Sequence, residues 1–134
     1  MAALAARRLD ATAVADMRAL PIANGTAGAI VAFYSVIHLR RADLAATFVE
    51  FARALMPSGR LLVSAHEGQG EVTLTEFIGV PARLDATFFE LDELRDAAAA
   101  AGLAVALAER RAPYATEGQT TRLYLLAERP RSYR

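Results

Sequence analysis

The most constraining feature of this sequence is a pair of uncharged apolar runs separated by one amphipathic segment. The run Ala29–Tyr34 is apolar throughout, and a second run lies within Arg60–Ala65. Continuous apolar runs of this length are typical of strands that are covered on both faces. Between them, apolar side chains recur at spacings of four, three and four, as on one face of a helix: Leu44, Phe48, Phe51 and Leu55. The pattern predicts a strand, a crossover helix over 41–55 and a second, parallel strand.

The rest of the chain predicts further elements around this unit. These are a helix over 2–9, a brief strand over 11–15, a loop over 17–28, a lid-like insertion over 66–89 with at most one short helix, a helix over 91–101, strands over 103–108 and 121–127, and a frayed tail over 130–134. No helix is predicted between the last two strands, so they are expected to pair antiparallel. We therefore expect a single α/β domain over 1–134. Its sheet is mainly parallel with an antiparallel last strand, and helices cover both faces.

Composition limits the functions to consider. The 134 residues include no cysteine, and acidic and basic residues balance at 15 each. Disulfides and thiolate chemistry are excluded, and a nucleic-acid partner held by bulk charge is not expected. With no cysteine and only two histidines, no metal site is expected. No apolar run is long enough for a membrane span, so we expect no membrane partner and a cytoplasmic location. Zero net charge with a mean hydropathy of +0.24 favours self-association.

Candidate site residues follow from the order of the strands. In an open parallel sheet, ligands bind beyond the carboxyl ends of the strands. The polar residues placed there are Asp16 and Met17 after the first strand, Tyr34, Ser35 and His38 after the second, and Ser64, His66 and Glu67 after the third. The spacing alone does not assign a reaction to them.

Four sequence blocks carry a resemblance to a known family. In chain order they are ADMRALPIANG, IVAFYSVIHL, FARALMPSGRLLV and FELDELRDAAAAAGL. Their order and spacing resemble those of class I S-adenosylmethionine-dependent methyltransferases, and the resemblance covers nearly the whole chain. MAALAARR resembles the helix before the third strand of that Rossmann-like fold. The resemblance thus implies an incomplete methyltransferase sheet that corresponds to the C-terminal portion of the domain.

The resemblance also implies roles for individual residues. Asp16 matches the carboxylate that accepts a hydrogen bond from the adenine amino group of S-adenosylmethionine, and the Met17 N–H matches the group that bonds the adenine ring. Tyr34 and Ser35 match positions that line the methionine end of the cofactor. His38 matches a histidine near the transferring methyl group. If the acceptor must lose a proton, His38 is the first candidate base and His66 the second.

The departures from the family concern the other half of the cofactor site. The glycine-rich D-x-G-x-G loop and the acidic residue that holds the ribose hydroxyls have no counterpart in the sequence. We therefore expect the chain alone to bind the cofactor weakly or not at all. The strand over 29–34 would also lack a neighbour on one side, and its open edge predicts a homo-oligomer.

Several alternatives remain open at the level of sequence. Asp16 can simply cap a loop, His38 can be satisfied by backbone, and His66 with Glu67 can be a solvated pair. Tyr34 can serve packing alone. For the whole chain, the alternatives are a methyltransferase domain acting on an unidentified small-molecule acceptor in its intact form, a non-catalytic remnant that self-associates or binds a partner, and a half that acts with another chain carrying the glycine loop.

Overall fold

The computed structural model describes residues 2–131. In chain order, the elements are α1 (Ala2–Ala5), β1 (Ala27–Phe33), two 3-10 turns (Val36–His38 and Arg41–Asp43), α2 (Leu44–Ala54), β2 (Leu55–His66), β3 (Glu71–Phe77), β4 (Val80–Thr87), α3 (Leu91–Ala100), β5 (Ala104–Arg111) and β6 (Arg122–Glu128). The predicted frayed tail lies outside the described residues from position 132 onward.

The main sheet has four strands in the order β1-β2-β6-β5. β1 pairs parallel with β2, and β6 pairs antiparallel with both β2 and β5. Hence β1, β2 and β5 run in one direction, and the last strand runs against them between β2 and β5. The predicted α/β class with an antiparallel last strand is confirmed, and the sheet is mixed, with β1–β2 parallel and the other two pairings antiparallel.

One face of this sheet carries the hydrophobic core. The predicted apolar stripe of α2 is fully involved, since Leu44, Phe48, Phe51 and Leu55 are all buried. α2 and α3 contact each other and pack over the alternating β2 side chains Leu61, Val63 and Ala65. A capping box begins α3, in which the Glu90 side chain accepts from the backbone of Glu93 and the Glu93 side chain accepts from the backbone of Glu90.

The opposite face is less covered. Val31 of β1 lies beside Leu62 of β2, which in turn lies beside Leu126 of β6. Val31 is 61% exposed and Phe33 is 53% exposed. Within residues 2–131, the two longer helices, α2 and α3, both lie on the core face, so the predicted helices are found there on one side only.

The segment predicted as a lid is a β-hairpin. β3 and β4 form a separate two-stranded sheet, and among the described residues no helix forms between positions 66 and 89. Phe77 pairs with Val80 across a two-residue turn, in which Ile78 and Gly79 have φ of 52° and 74°. Two positive φ values in succession are typical of a type I′ hairpin turn.

The N-terminal predictions are wrong in two respects. The strand predicted over 11–15 is not formed, and Val14 is 90% exposed. The helix predicted over 2–9 ends at Ala5. Both segments are short and have little buried apolar surface, so packing does not stabilise them. No helix within residues 2–131 is long and apolar enough to span a bilayer.

Candidate functional site

The candidate site begins where β1 ends. Tyr34 follows β1 with a φ of 47°, a left-handed conformation that is unfavourable for a residue with a side chain. Its backbone N–H donates to the Ser64 carbonyl oxygen at 3.1 Å and to Ser64 Oγ at 3.0 Å. Ser64 is itself fully buried in β2. The neighbouring strand therefore fixes the turn that directs the Tyr34 ring.

His66 ends β2 directly beside this ring. The Tyr34 and His66 rings stack with their centroids 4.9 Å apart, and Phe88 approaches the His66 ring edge-on at 6.5 Å. Burial, reinforced by the nearby Arg122 guanidinium, lowers the pKa of His66 below its ordinary value of 6.5. The His66 ring is therefore neutral at pH 7.

The hydrogen bonds of His66 indicate which ring nitrogen carries its proton. His66 Nδ1 lies 2.8 Å from Thr120 Oγ1, and this hydroxyl oxygen also accepts from Arg122 Nη1 at 2.9 Å. We assign the Thr120 hydroxyl as the donor to His66 Nδ1, because this direction gives the hydroxyl hydrogen an acceptor within residues 2–131. This arrangement leaves the proton of the neutral ring on Nε2.

His38 has the opposite arrangement. It ends the first 3-10 turn, and its Nδ1 lies 3.1 Å from the backbone carbonyl oxygen of Asp85 in β4. A carbonyl oxygen can only accept, so His38 Nδ1 carries a proton. In the neutral ring, Nε2 then has a free lone pair. The contact also ties the β3–β4 hairpin to the end of β1.

A cavity of about 590 Å³ lies between the carboxyl ends of β1 and β2 and the hairpin. Such a volume suits a drug-sized small molecule. Its lining is mostly apolar and comprises Tyr34, Ile37, His38, His66, Val72, Leu74, Phe77, Leu84, Ala86, Thr87, Phe88 and Thr120. Three of the residues that the sequence placed at strand ends, Tyr34, His38 and His66, are thus brought together.

A chain of polar contacts supports the Tyr34 side of the cavity from behind. Tyr34 Oη lies 3.3 Å from Tyr124 Oη, which accepts from Arg111 Nη2 at 3.2 Å. Burial and the contact with Tyr124 raise the pKa of Tyr34, while the contact with Tyr34 and the hydrogen bond from Arg111 lower the pKa of Tyr124. Arg111 is fixed in turn by Glu117, whose pKa its guanidinium lowers to about 2.

The sequence interpretation missed Thr120, Arg122 and Tyr124. Arg122 is 7% exposed and also donates to the backbone carbonyl of Gly118 at 2.6 Å. One signal was available, because Arg122 and Tyr124 alternate with Leu123 and Leu125. Because the last strand is antiparallel, it begins at the end of the sheet where the parallel strands have their carboxyl ends. Its first polar residues therefore lie near the site.

The other predicted cofactor residues lie outside this cavity. Arg18 donates to the Asp16 carboxylate from Nη2 at 2.7 Å and from its backbone N–H at 2.9 Å. These hydrogen bonds lower the pKa of Asp16 to about 2. Met17 is half-buried against the core, and its N–H has no hydrogen-bond acceptor within residues 2–131. Ser35 precedes the first 3-10 turn but does not cap it with its side chain.

These residues fit S-adenosylmethionine only in part. The unpaired Met17 N–H suits the edge of an adenine ring, but the Asp16 carboxylate is already engaged by Arg18. β1 forms the edge of the sheet, and the sequence has no D-x-G-x-G segment to approach a ribose or a methionine group from that side. The described residues therefore do not form a complete site for the cofactor.

Comparisons with known proteins define the class of this fold. The family model described as a methyltransferase domain matches residues 1–63, which contain three of the four sequence blocks. A comparison with curated proteins gave no match. Among solved structures, an S-adenosylmethionine-dependent methyltransferase from Methanosarcina mazei matches 90% of this chain and 67% of its own, with a TM-score of 0.76 and 10% identity.

Two further structures have the same fold. An S-adenosylmethionine-dependent methyltransferase from Mesorhizobium loti matches 86% of this chain and 68% of its own, with a TM-score of 0.63 and 15% identity. A Burkholderia thailandensis 1,6-didemethyltoxoflavin-N1-methyltransferase, solved with 1,6-didemethyltoxoflavin and S-adenosylhomocysteine, matches 87% of this chain and 49% of its own. Its TM-score is 0.65 and its identity is 17%.

The chain has the fold of the S-adenosylmethionine-dependent methyltransferases, and the predicted resemblance to that family is confirmed. It spans about half to two thirds of the length of these three structures. At these identities, the structural likeness establishes the fold and leaves the acceptor undefined.

Proposed function

We propose that this chain is the acceptor-side part of an S-adenosylmethionine-dependent methyltransferase domain, which methylates a small molecule when a glycine-rich loop is also supplied. Alone, we expect it to be weakly active or inactive. One observation supports the proposal most strongly: Tyr34, His38 and His66 meet at one cavity, beyond the carboxyl ends of adjacent parallel strands, in a methyltransferase fold.

Within this proposal, the residues divide into two groups. Met17 and Asp16 contact the adenine of the cofactor, which requires Asp16 to exchange its contact with Arg18 for one with the ligand. Tyr34 and Ser35 lie towards its methionine end. The cofactor supplies the methyl group. His38 takes up the proton of the acceptor at Nε2, the nitrogen that its contact with Asp85 leaves without a hydrogen in the neutral ring. His66 is the second candidate base, but it carries its proton on Nε2 and would need the other tautomer to accept one there.

The test uses a form that supplies the glycine loop, either as a longer polypeptide or as a complex with a second chain. Calorimetry gives the dissociation constant for S-adenosylmethionine, and methyl transfer gives turnover. Asp16→Ala should weaken cofactor binding about 10- to 150-fold, the equivalent of about 1.5–3 kcal/mol for a hydrogen bond to a charged group. Asp10→Ala removes an exposed carboxylate of the same segment and is the matched control, with no change expected.

His38→Ala should lower turnover and leave cofactor binding unchanged. Unchanged turnover would show that His38 is not the base and that its role is structural, namely to hold the hairpin against the end of β1. Failure of every loop-supplied form to bind the cofactor would contradict the proposed function itself.

A second candidate function is that of a non-catalytic, self-associating domain. The observation that favours it is the β1 edge, where Val31 and Phe33 are 61% and 53% exposed and no charge interrupts Ala29–Phe33. An exposed apolar edge presents unpaired backbone groups that template pairing with another chain. Association without any methyl transfer by loop-supplied forms would favour this candidate.

A further inference from the structure

The walls of the cavity are mostly apolar. Seven of its lining residues are apolar: Ile37, Val72, Leu74, Phe77, Leu84, Ala86 and Phe88. The hairpin contributes most of them, and Leu74 and Phe77 remain 43% and 53% exposed, so this surface is available to a ligand. A ligand that fills the cavity gains chiefly by removing apolar surface from water.

Among the residues of 2–131, the lining contains no acidic side chain, lysine or arginine. The nearby Arg122 is occupied by Gly118 and Thr120. His66 is neutral, because burial and Arg122 lower its pKa. A charged ligand would lose its hydration here without gaining an opposite charge, which is unfavourable.

The polar groups of the lining are nearly all in use. Tyr34 Oη contacts Tyr124 Oη, Thr87 Oγ1 donates to the carbonyl oxygen of Leu39, and Thr120 Oγ1 serves His66 and Arg122. Within residues 2–131, the ring nitrogens that have no partner are Nε2 of His38 and Nε2 of His66. Their hydrogen bonds make them complementary, since His38 Nε2 accepts and His66 Nε2–H donates.

A hydroxyl group matches this pair because it is both a donor and an acceptor. It can donate to His38 Nε2 and accept from His66 Nε2–H. A carboxylate can only accept, so it would meet the lone pair of His38. An ammonium group can only donate, so it would meet the N–H of His66.

We infer that the cavity binds a neutral, largely apolar small molecule with one hydroxyl group, an alcohol or a phenol, whose hydroxyl lies between His38 and His66. The inference rests on the proposed function in taking this molecule as the methyl acceptor. The binding itself requires only the residues described above, so it can be measured without the cofactor.

The test titrates the chain alone with four matched probes: 2-naphthol, 2-naphthoate, 2-naphthylmethylammonium and naphthalene. Calorimetry at pH 7.5 gives each affinity. We expect 2-naphthol to bind at least tenfold more tightly than each of the other three. His66→Phe should reduce its advantage over naphthalene to less than threefold, because the donor at Nε2 is lost while the apolar walls remain.

Two further variants locate the binding. Leu74→Arg places a charge in the cavity wall on an exposed strand and should weaken 2-naphthol at least tenfold, with the circular dichroism spectrum unchanged. Ile78→Ser alters the hairpin tip outside the cavity and should leave the affinity unchanged. Equal or tighter binding of 2-naphthoate would overturn the inference, as would the absence of binding or binding that Leu74→Arg does not affect. These outcomes are independent of cofactor binding by loop-supplied forms, which tests the proposed function.

Discussion

The parallel pairing of β1 with β2 positions the candidate site, and Gly59 is the residue at which that pairing is most sensitive to added volume. A Cβ atom at Gly59 would lie 2.8 Å from the carbonyl oxygen of Met56 and 3.0 Å from that of Ala27 in β1. Both neighbours are backbone atoms, so they cannot move aside as a flexible side chain would. We expect Gly59→Ala to lower the free energy of unfolding by about 1–3 kcal/mol, the usual cost of overpacking.

Gly28, in β1 itself, offers a matched control. A Cβ atom there would meet no atom within 4 Å. Gly28→Ala should therefore be neutral or raise stability by up to about 1 kcal/mol, because it restricts the unfolded chain. The two variants make the same chemical change in neighbouring strands, so their difference reports the close backbone contacts of Gly59, one within β2 and one with β1.

Urea unfolding followed by circular dichroism measures both variants. The midpoint should fall for Gly59→Ala and stay or rise for Gly28→Ala, with similar slopes. In thermal unfolding, each kcal/mol corresponds to about 3–5 °C for a chain of this size. A Gly59→Ala protein as stable as the Gly28→Ala protein would refute the close backbone packing around Gly59, including the approach of Ala27 in β1.

Three further predictions concern the hairpin, the partly buried histidine and the open edge. Ile78 is 85% exposed, and its φ of 52° costs about 1–2 kcal/mol, which asparagine largely avoids. Ile78→Asn should therefore stabilise the hairpin and slow its amide exchange about fivefold or more. Unchanged exchange would contradict the type I′ turn. The pKa of His66 is lowered from 6.5, so its contribution to stability is complete above pH 6.5 and declines as the pH falls through that value towards the lower pKa of the folded state. His66→Gln should lose less stability than the wild type between pH 7.5 and 5, and identical losses would argue against a neutral, partly buried ring. In light scattering at about 100 μM, well above micromolar affinities, the wild type should have the mass of a dimer or a larger oligomer. The Phe33→Lys variant should have a lower mass. A monomeric wild type would show that the β1 edge does not associate.

The main sheet and its core could be predicted from the sequence because the signals are local and strong. The stripe of Leu44, Phe48, Phe51 and Leu55 has a helical period, and all four side chains are buried as predicted. The end of the helix was harder to predict, because α2 ends at Ala54 and Leu55 is already the first residue of β2. Periodicity locates a buried face, whereas the exact end of a helix depends on which strand the chain joins next.

The β3–β4 hairpin could not be predicted in the same way. Val72 and Leu74 alternate with Thr73 and Thr75, as in a strand, but the flanking glycines and Pro81 are equally typical of a loop. Most of its residues are exposed, so no buried face distinguishes the two interpretations. The predicted strand over 11–15 failed for the opposite reason, because a short apolar run without a partner strand does not form a ladder.

The candidate site was predictable where it follows the carboxyl ends of parallel strands. That rule placed Tyr34, His38 and His66 together, and the structure brings them to one cavity. The supporting residues Thr120 and Tyr124 lie more than fifty positions away from His66 in the sequence. Their contribution depends on the position of the antiparallel last strand, which a local pattern does not specify.

Calorimetric titration of this chain alone with S-adenosylmethionine tests the central claim most directly. The claim is that the described residues form the acceptor side of a methyltransferase site without the surfaces that hold the ribose and the methionine group. Unpaired polar groups on a bound ligand cost about 1–3 kcal/mol each, so we predict a dissociation constant weaker than about 1 mM. A micromolar dissociation constant for the isolated chain would contradict the account, because the described residues would then hold the cofactor unaided.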